Sequence, residues 1–149
     1  MWRNWALVVC TGWFAMAATA NEVGHVMVAK GTATIQRGPE KIAAAPGMKV
    51  YAADVITTGA NSAVGVTFLD NSLISTGPNS VFAIDQYTFD STTHIGQFDG
   101  NLKKGTLAAV SGKMVKQVPE SMRIRTPSSI MGVRGTEFVV KVEEAPANP

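Results

Sequence analysis

A segment that occurs twice, at residues 54–64 and again at residues 72–82, is the feature that most constrains the fold of this chain. The first copy reads DVITTGANSAV and the second reads SLISTGPNSVF, so that Ile, Thr, Gly, Asn and Ser recur at matching positions. In both copies a Gly-x-Asn-Ser corner separates two alternating runs, which predicts a strand, a tight corner and a second strand. Such a unit cannot bury its apolar face alone, so we expect the copies to stack on each other.

Alternation of apolar and polar residues with a period of two continues along most of the chain. The alternating runs are short and are separated by Gly, Pro, Asn or Asp, which is typical of β-proteins. We therefore predict an all-β fold of short stacked strands, solenoid-like or a β-roll, with a β-sandwich as the alternative. The predicted strands are His25–Ala29, Thr32–Arg37, Asp54–Thr57, Val64–Leu69, Leu73–Thr76, Ser80–Ile84, Thr106–Val110, Met122–Arg125 and Glu137–Val142.

Glycine, asparagine and proline mark the corners between these strands. Glycine and asparagine tolerate a positive φ, and proline ends a strand because it cannot donate to a sheet interior. Near the carboxyl end, G-V-R-G precedes the last alternating run, which predicts a sharp turn before a closing strand. The predicted structural turns are Gly59, Asn61, Gly77, Asn79, Pro127, Gly132 and Gly135.

The amino-terminal segment, 1–20, has the features of a secretory signal peptide. Arg3 supplies a positive end, residues 6–17 are mostly apolar, and Ala18-Thr19-Ala20 is a small-x-small cleavage pattern. We predict a signal peptide at 1–20, one domain at 21–142 and a polar, Pro-rich tail at 143–149. The alternative for the amino-terminal segment is a retained membrane anchor, which normally needs about 20 apolar residues.

Cleavage after Ala20 would limit the chemistry of the mature chain. The leader holds Cys10, the single cysteine, and all three tryptophans, so thiol catalysis and disulfides are excluded for a chain that begins at Asn21. The leader also holds Arg3, which leaves 12 of the 13 basic residues against 11 acidic ones, a net charge of +1. Nucleic-acid binding is not expected at this charge, because it requires a strong basic excess.

The ionisable residues form no pattern that indicates catalysis or metal binding. The densest group is Asp85, Asp90, His94 and Asp99, but its spacings match no familiar metal loop, and its surroundings suggest a polar edge or loop. The chain has no G-x-S-x-G motif, so a serine triad is unsupported. We predict no enzyme activity, no metal and no cofactor.

Several segments, taken in order, resemble the FecR-type domain, which is named for the periplasmic part of a ferric-citrate transport regulator. The resemblance covers about residues 26–142, and its most specific elements are Ile124-Arg-Thr-Pro127 and Arg134-Gly-Thr-Glu-Phe138. Other segments that carry it are 31–38, 47–59, 63–72, 76–81 and 105–110. Sigma-factor regulators of this family place a helical domain and a membrane helix before the domain. This chain is similar instead to the stand-alone exported versions, periplasmic or secreted, of Gram-negative bacteria.

The resemblance implies a non-catalytic interaction or sensing module of the bacterial envelope that binds a protein partner, for example by strand addition. The candidate partner-binding residues are Arg134, Arg123 and Arg125, because arginine is enriched at interface hot spots. The plainer interpretations are that Arg134 bonds turn carbonyls or a carboxylate, and that Arg123 and Arg125 lie on an ordinary solvated face. The alternative function is binding of envelope polysaccharide. We expect no membrane span after signal cleavage.

Overall fold

The computed structural model describes residues 22–134 and 137–142. These residues form twelve β-strands and one helix of five residues. The predicted leader, the predicted tail and Gly135 lie outside the described residues. The elements are β1 (Glu22–Lys30), β2 (Ala33–Arg37), β3 (Glu40–Ala43), β4 (Lys49–Tyr51), β5 (Val55–Thr58), β6 (Ala63–Phe68), β7 (Leu73–Thr76), β8 (Val81–Phe89), β9 (Gly96–Val110), α1 (Lys113–Gln117), β10 (Met122–Arg125), β11 (Ile130–Gly132) and β12 (Glu137–Val142).

The strands form a mainly antiparallel sheet that curls into an open half-barrel. Neighbouring strands follow the order β3-β2-β5-β8-β9-β7-β6-β1-β4, and both β10 and β12 pair with β9. β9 belongs to both sides of the curl, because residues 96–104 pair with β8 whereas residues 107–110 pair with β7. We call β4, β1, β6, β7, the end of β9 and β12 the front wall. The back wall is β3, β2, β5, β8, the start of β9, β10 and β11.

The all-β prediction of short stacked strands is confirmed, and each copy of the repeat holds a strand, a corner and the start of a second strand. The first copy runs from β5 into β6, and the second runs from β7 into β8. β6 pairs with β7 and β5 pairs with β8, both antiparallel. The chain therefore crosses from the back wall to the front wall in the first copy and returns in the second. This stacking differs from the parallel rungs of a solenoid.

Four corners at which the chain passes between the walls stack in a row, which we call the corner ladder. Its members are residues 31–32, 59–62, 77–80 and 105–106. Backbone hydrogen bonds join them, from Gly59 N to Thr32 O (2.8 Å), from Asn79 N to Gly59 O (3.0 Å) and from Gly77 N to Thr106 O (2.9 Å). The walls are thus tied along one end of the half-barrel.

Matching residues of the repeat have matching roles in the corner ladder. Asn61 and Asn79 have left-handed backbones, with φ of 53° and 51°. Ser62 Oγ accepts a hydrogen bond from Thr32 N (2.8 Å), and Ser80 Oγ accepts one from Thr106 N (3.0 Å). Each repeat serine therefore satisfies a backbone donor of a neighbouring corner, which explains why Asn-Ser recurs in both copies.

Aromatic rings fill the centre of the core between the walls. Phe98 is fully buried, and its ring centroid lies 4.9 Å from that of Phe68 and 5.7 Å from that of Tyr87, both in edge-on geometry. Phe82 stacks on Phe98 at 6.4 Å. Phe68 belongs to β6 in the front wall, whereas the other three rings belong to β8 and the start of β9 in the back wall. The cluster therefore joins the two walls.

A buried polar network lies at the opposite end from the corner ladder, at the turn between β6 and β7. Asp70 is fully buried and accepts hydrogen bonds from the Tyr87 hydroxyl (2.9 Å) and from Ser72 Oγ (2.6 Å). Ser72 Oγ in turn accepts one from Gly112 N (3.0 Å), and Lys113 N at the start of α1 donates to Asp70 O (2.8 Å). Burial, together with the charge of Asp70, raises the pKa of Tyr87 far above its ordinary value, so the phenol stays protonated and donates.

One side of the half-barrel is bridged by an arginine. Arg37 of β2 donates to the Asp54 carboxylate from Nε (3.0 Å) and Nη2 (2.8 Å), and also to Lys49 O (3.2 Å) in the front wall. Asp54 is fully buried and accepts a further bond from Tyr51 N (2.9 Å). The hydrogen bond to Asp54 raises the pKa of Arg37. The half-barrel is therefore closed near β3 and β4, and the opposite side is the open one.

The strands β3, β4 and β11 and the helix were not predicted from the sequence, and β1, β8 and β9 extend beyond the predicted runs. β3, β4 and β11 are only three or four residues long. The polar stretch 87–94, expected as an edge or loop, holds the last residues of β8, which ends at Phe89, and most of the connection to β9, which begins at Gly96. The start of β9 was not predicted because it contains Gly100, where a Cβ would lie 2.5 Å from the Phe82 ring. The Phe82 ring leaves room only for glycine at position 100, and glycine is atypical of strand interiors.

Candidate interaction surface

The side of the half-barrel between β11 and β12 is open. β11 ends the back wall and β12 ends the front wall, and within residues 22–134 and 137–142 neither strand has a second neighbour. A cleft of about 630 Å³ lies between them. Its lining includes Met131, Val139, Val140, Val142, Lys103 and Lys104. Open strand edges and apolar surface therefore meet on one side of the molecule.

The turn between β10 and β11 borders this cleft on one side. Thr126 N donates to Ser129 O (2.8 Å), and Ser129 N donates to Thr126 Oγ1 (3.1 Å), so the ends of the turn are bonded to each other. Pro127 is the second residue of the turn, where its fixed φ is favourable. Two turn residues were predicted in this region. Pro127 lies in the turn, whereas Gly132 is the last residue of β11 and not part of a turn.

Arg123 and Arg125 lie on the outer face of β10. Their side chains are exposed, whereas Met122 and Ile124, which alternate with them, are fully buried in the core. The alternation that predicted one shared face for the two arginines is therefore seen in the structure. Lys113 and Lys116, which are near them in sequence, belong to α1.

An exposed isoleucine stands beside these arginines at the edge of the back wall. Ile130 is the register partner of Arg125 in the β10–β11 pair, and 63% of Ile130 is exposed to solvent. Gly132 is the partner of Arg123, so β11 adds no second large side chain at that position. The hairpin thus presents two arginines and one isoleucine. We call Arg123, Arg125 and Ile130 the hairpin surface.

Arg134 lies two residues after β11 and pairs with Glu120. Its Nε donates to Glu120 Oε1 at 2.8 Å, and the two side chains are 74% and 50% exposed. Glu120 has a left-handed backbone with φ of 70°, and its N donates to Val133 O (3.3 Å). The arginine therefore contacts a carboxylate, one of the plainer roles considered for it, while most of its surface remains open to solvent.

We expect Arg134→Ala to lower the free energy of unfolding by about 0.5 kcal/mol or less, because an ion pair between exposed side chains contributes little. Urea unfolding followed by circular dichroism measures the change. Arg37→Ala is the control, since it strands the buried Asp54 carboxylate and should cost about 2 kcal/mol even with Arg37 partly exposed. A loss for Arg134→Ala as large as that for Arg37→Ala would make Arg134 a structural residue.

A small polar pocket lies at the other end of β10. It has a volume of about 290 Å³, and its lining includes Gln97, Glu120, Ser121 and Arg123. Only 7% of Ser121 is exposed, and its hydroxyl has no hydrogen-bond partner among the described residues. One carboxylate oxygen of the nearby Asp99 is likewise buried without a partner there, while the other accepts from Gln97 Nε2 (2.9 Å). Sequence reasoning missed this pocket, because its residues come from segments far apart in the chain.

The ionisable group around Asp90 is spread over three elements. Asp85 lies in β8, Asp99 in β9, and Asp90 and His94 in the connection between them. The Asp90 carboxylate accepts hydrogen bonds from the backbone of Thr92 and Thr93, which lower its pKa. No group of three or more metal-ligating His, Cys, Asp or Glu residues occurs in the described part of the chain. Asp90 thus stabilises its own turn.

These features define a small all-β protein with one bridged side and one open side. The family model described as FecR protein matches residues 54–148, which is more than half of the chain. The chain therefore belongs to the FecR family, as the resemblance indicated. No curated protein and no solved structure matches the chain.

Membership of the FecR family indicates a signalling or sensing protein of the bacterial envelope, in a regulatory family rather than a family of enzymes. The matched part starts at β5 and thus includes both copies of the repeat, the hairpin surface and Arg134. Among the described residues there is no helix long and apolar enough to cross a membrane.

Proposed function

We propose that this chain is an exported, non-catalytic interaction module of the envelope that binds a protein partner through the hairpin surface and Arg134. The proposal is carried by Ile130, which is 63% exposed at an open strand edge beside Arg125. An apolar side chain flanked by arginines is the composition of an interface hot spot, where the apolar group is buried and the arginines hydrogen-bond the partner.

The open edge of β11 suggests how the partner binds. A segment in extended conformation can hydrogen-bond to the edge of β11 as an added strand, while its side chains contact Ile130 on one face. Because β11 has only three residues, the added strand would gain few backbone bonds. The arginines of β10 therefore supply most of the selectivity, and they favour a partner segment with acidic residues on its outer face.

Capture of the partner in cells tests this proposal. The tagged full chain is expressed in its exporting host, cross-linked in intact cells, purified and identified with its partners by mass spectrometry. We expect one envelope protein to be recovered with the wild type and to be lost with Arg125→Glu and with Ile130→Asp. These variants remove the charge and the hydrophobic contact, respectively, without touching the core.

Two matched variants control for the chemistry of the substitutions. Lys41→Glu makes the same charge change on β3, at the far edge of the back wall, and Ile95→Asp replaces another isoleucine, which is 53% exposed. Both should retain the partner. Equal loss of the partner in all four variants, or equal retention, would contradict a role for the hairpin surface.

A second candidate function, binding of envelope polysaccharide, is favoured by the polar pocket at Ser121. The pocket brings together the Ser121 hydroxyl, the Gln97 amide, the Glu120 carboxylate and the Arg123 guanidinium, a mixture of donors and acceptors that suits the hydroxyls of a sugar ring. Calorimetric titration with soluble peptidoglycan fragments and with lipopolysaccharide oligosaccharide tests it. Binding that disappears with Ser121→Val but persists with Thr57→Val, on another back-wall strand, would support this function.

A further inference from the structure

β12 is unusual among the four strands that end the walls. β3, β4 and β11 have four, three and three residues, whereas β12 has six. Natural proteins keep edge strands short, interrupt them with proline or bend them, because a long flat edge recruits another strand. β12 has no proline and keeps an unbroken register with β9 over all six residues. The described part of the chain places no strand on its other side.

The side chains of β12 are arranged symmetrically about Val139. Glu137, Val139 and Lys141 point outward, and Val139 is 66% exposed. Phe138 and Val140 point inward, where Val140 is buried and Phe138 packs partly against the core. A negative residue thus lies two positions before the exposed valine and a positive residue two positions after it.

We propose that two copies of this chain associate by antiparallel pairing of β12 with β12, with Val139 opposite Val139 of the second copy. A two-fold axis through this pair places Glu137 opposite Lys141 of the second copy, and the reverse, so that one contact occurs twice. Opposite residues of an antiparallel pair share a face, so both charge pairs and the valine pair form on the outer surface. On the inner surface Phe138 meets Val140 of the second copy.

The charges also select the register of the pairing. Sliding one strand by two residues would place Val139 opposite Lys141 and would remove both Glu–Lys pairs. Sliding it by one residue would place outward-facing residues of one strand opposite inward-facing residues of the other. Charge complementarity of the strand with itself is therefore the reason to prefer a second copy over an unrelated strand at this edge. The proposal is independent of the hairpin surface, which lies on the back wall.

Sedimentation velocity over a concentration series tests the association, with the full chain expressed and purified in the form its exporting host produces. We expect a monomer–dimer equilibrium for the wild type. Glu137→Lys and Lys141→Glu should each weaken it about tenfold or more, because each turns two attractive cross-strand pairs into two repulsive ones. The double variant Glu137→Lys/Lys141→Glu should restore the dimer to within a few-fold of the wild type, since both pairs form again with their signs exchanged.

Controls separate this pairing from general charge effects and from misfolding. Lys30→Glu and Glu40→Lys make the same changes at exposed positions of β1 and β3 and should leave the dimer unchanged. Circular dichroism should show the same fold for all variants, because the side chains of Glu137 and Lys141 point to solvent.

Three results would each overturn the proposal. They are a wild type that stays monomeric at the highest concentration reached, single variants that dimerise like the wild type, and a double variant that stays monomeric. A monomer that instead binds a strand of its envelope partner at β12 would show that the edge serves another protein.

Discussion

Gly105→Ala is expected to lower the free energy of unfolding by about 3 kcal/mol, although it adds a single methyl group. Gly105 is where β9 passes from the back wall to the front wall, and its φ of 93° is strained for any residue with a Cβ. A Cβ built there would lie 2.5 Å from Cα and Cβ of Ser80 and still closer to its hydroxyl. Left-handed strain of about 1–2 kcal/mol and overpacking of about 1–3 kcal/mol add.

The crowding can be separated from the strain by a second glycine. Gly38, in the turn between β2 and β3, also has a positive φ, 58°, but nothing lies within 4 Å of a Cβ built there. Gly38→Ala should therefore cost only the strain, about 1 kcal/mol. Both changes are measured by urea unfolding. Equal losses for the two variants would mean that the corner ladder does not pack tightly against Gly105.

Asp70→Ala should destabilise the fold by about 3 kcal/mol. The substitution leaves the Tyr87 hydroxyl and Ser72 Oγ without their acceptor in a buried site, and an orphaned buried polar group costs about 1–3 kcal/mol. It also removes the support for the turn to which α1 is attached. The measurement is thermal or urea unfolding, followed by far-UV circular dichroism.

Two comparisons test the reason for this loss. Asp85→Ala removes an exposed carboxylate of β8 and should change stability by about 0.5 kcal/mol or less. Tyr87→Phe removes the hydroxyl that donates to the Asp70 carboxylate and accepts from Asp70 N (3.1 Å), but it leaves the carboxylate bonded to Ser72, so it should cost about 1–2 kcal/mol. A loss for Asp70→Ala no larger than that for Asp85→Ala would rule out a stabilising network at this end of the front wall.

The repeat is the part of the fold that the sequence predicts best. Each copy contains a full strand, a corner with left-handed Asn61 or Asn79, and the start of a second strand, and all of these are local properties. The antiparallel stacking of the copies was not predictable, because the spacing of the copies along the chain does not say that the chain crosses between two walls. That information lies in contacts such as the one from Ser80 to Thr106, 26 residues away.

The sequence did not predict strand segments in which glycine is required by the packing of a neighbouring strand. The start of β9 carries Gly96 and Gly100, which make room for the backbone of Thr88 and for the Phe82 ring. Such glycines look like loop residues in a sequence, since they weaken a strand considered alone.

The same limit applies to the candidate surface. Alternation predicted that Arg123 and Arg125 share a face, because a strand places every second side chain on the same side. Nothing local indicates that Arg134 pairs with Glu120, 14 residues earlier. The exposure of Ile130 likewise depends on where the back wall ends, which only the three-dimensional arrangement of the strands decides.

Partner binding at the hairpin surface can be tested in intact cells by site-specific photo-cross-linking. A photoreactive amino acid is placed at position 130, and in separate proteins at positions 95 and 41, and intact cells are irradiated. We expect position 130 to give one dominant adduct with an envelope protein, and positions 95 and 41 to give none. Adducts at position 95 or 41 with none at 130 would place the interface elsewhere on the half-barrel and would rule out the hairpin surface.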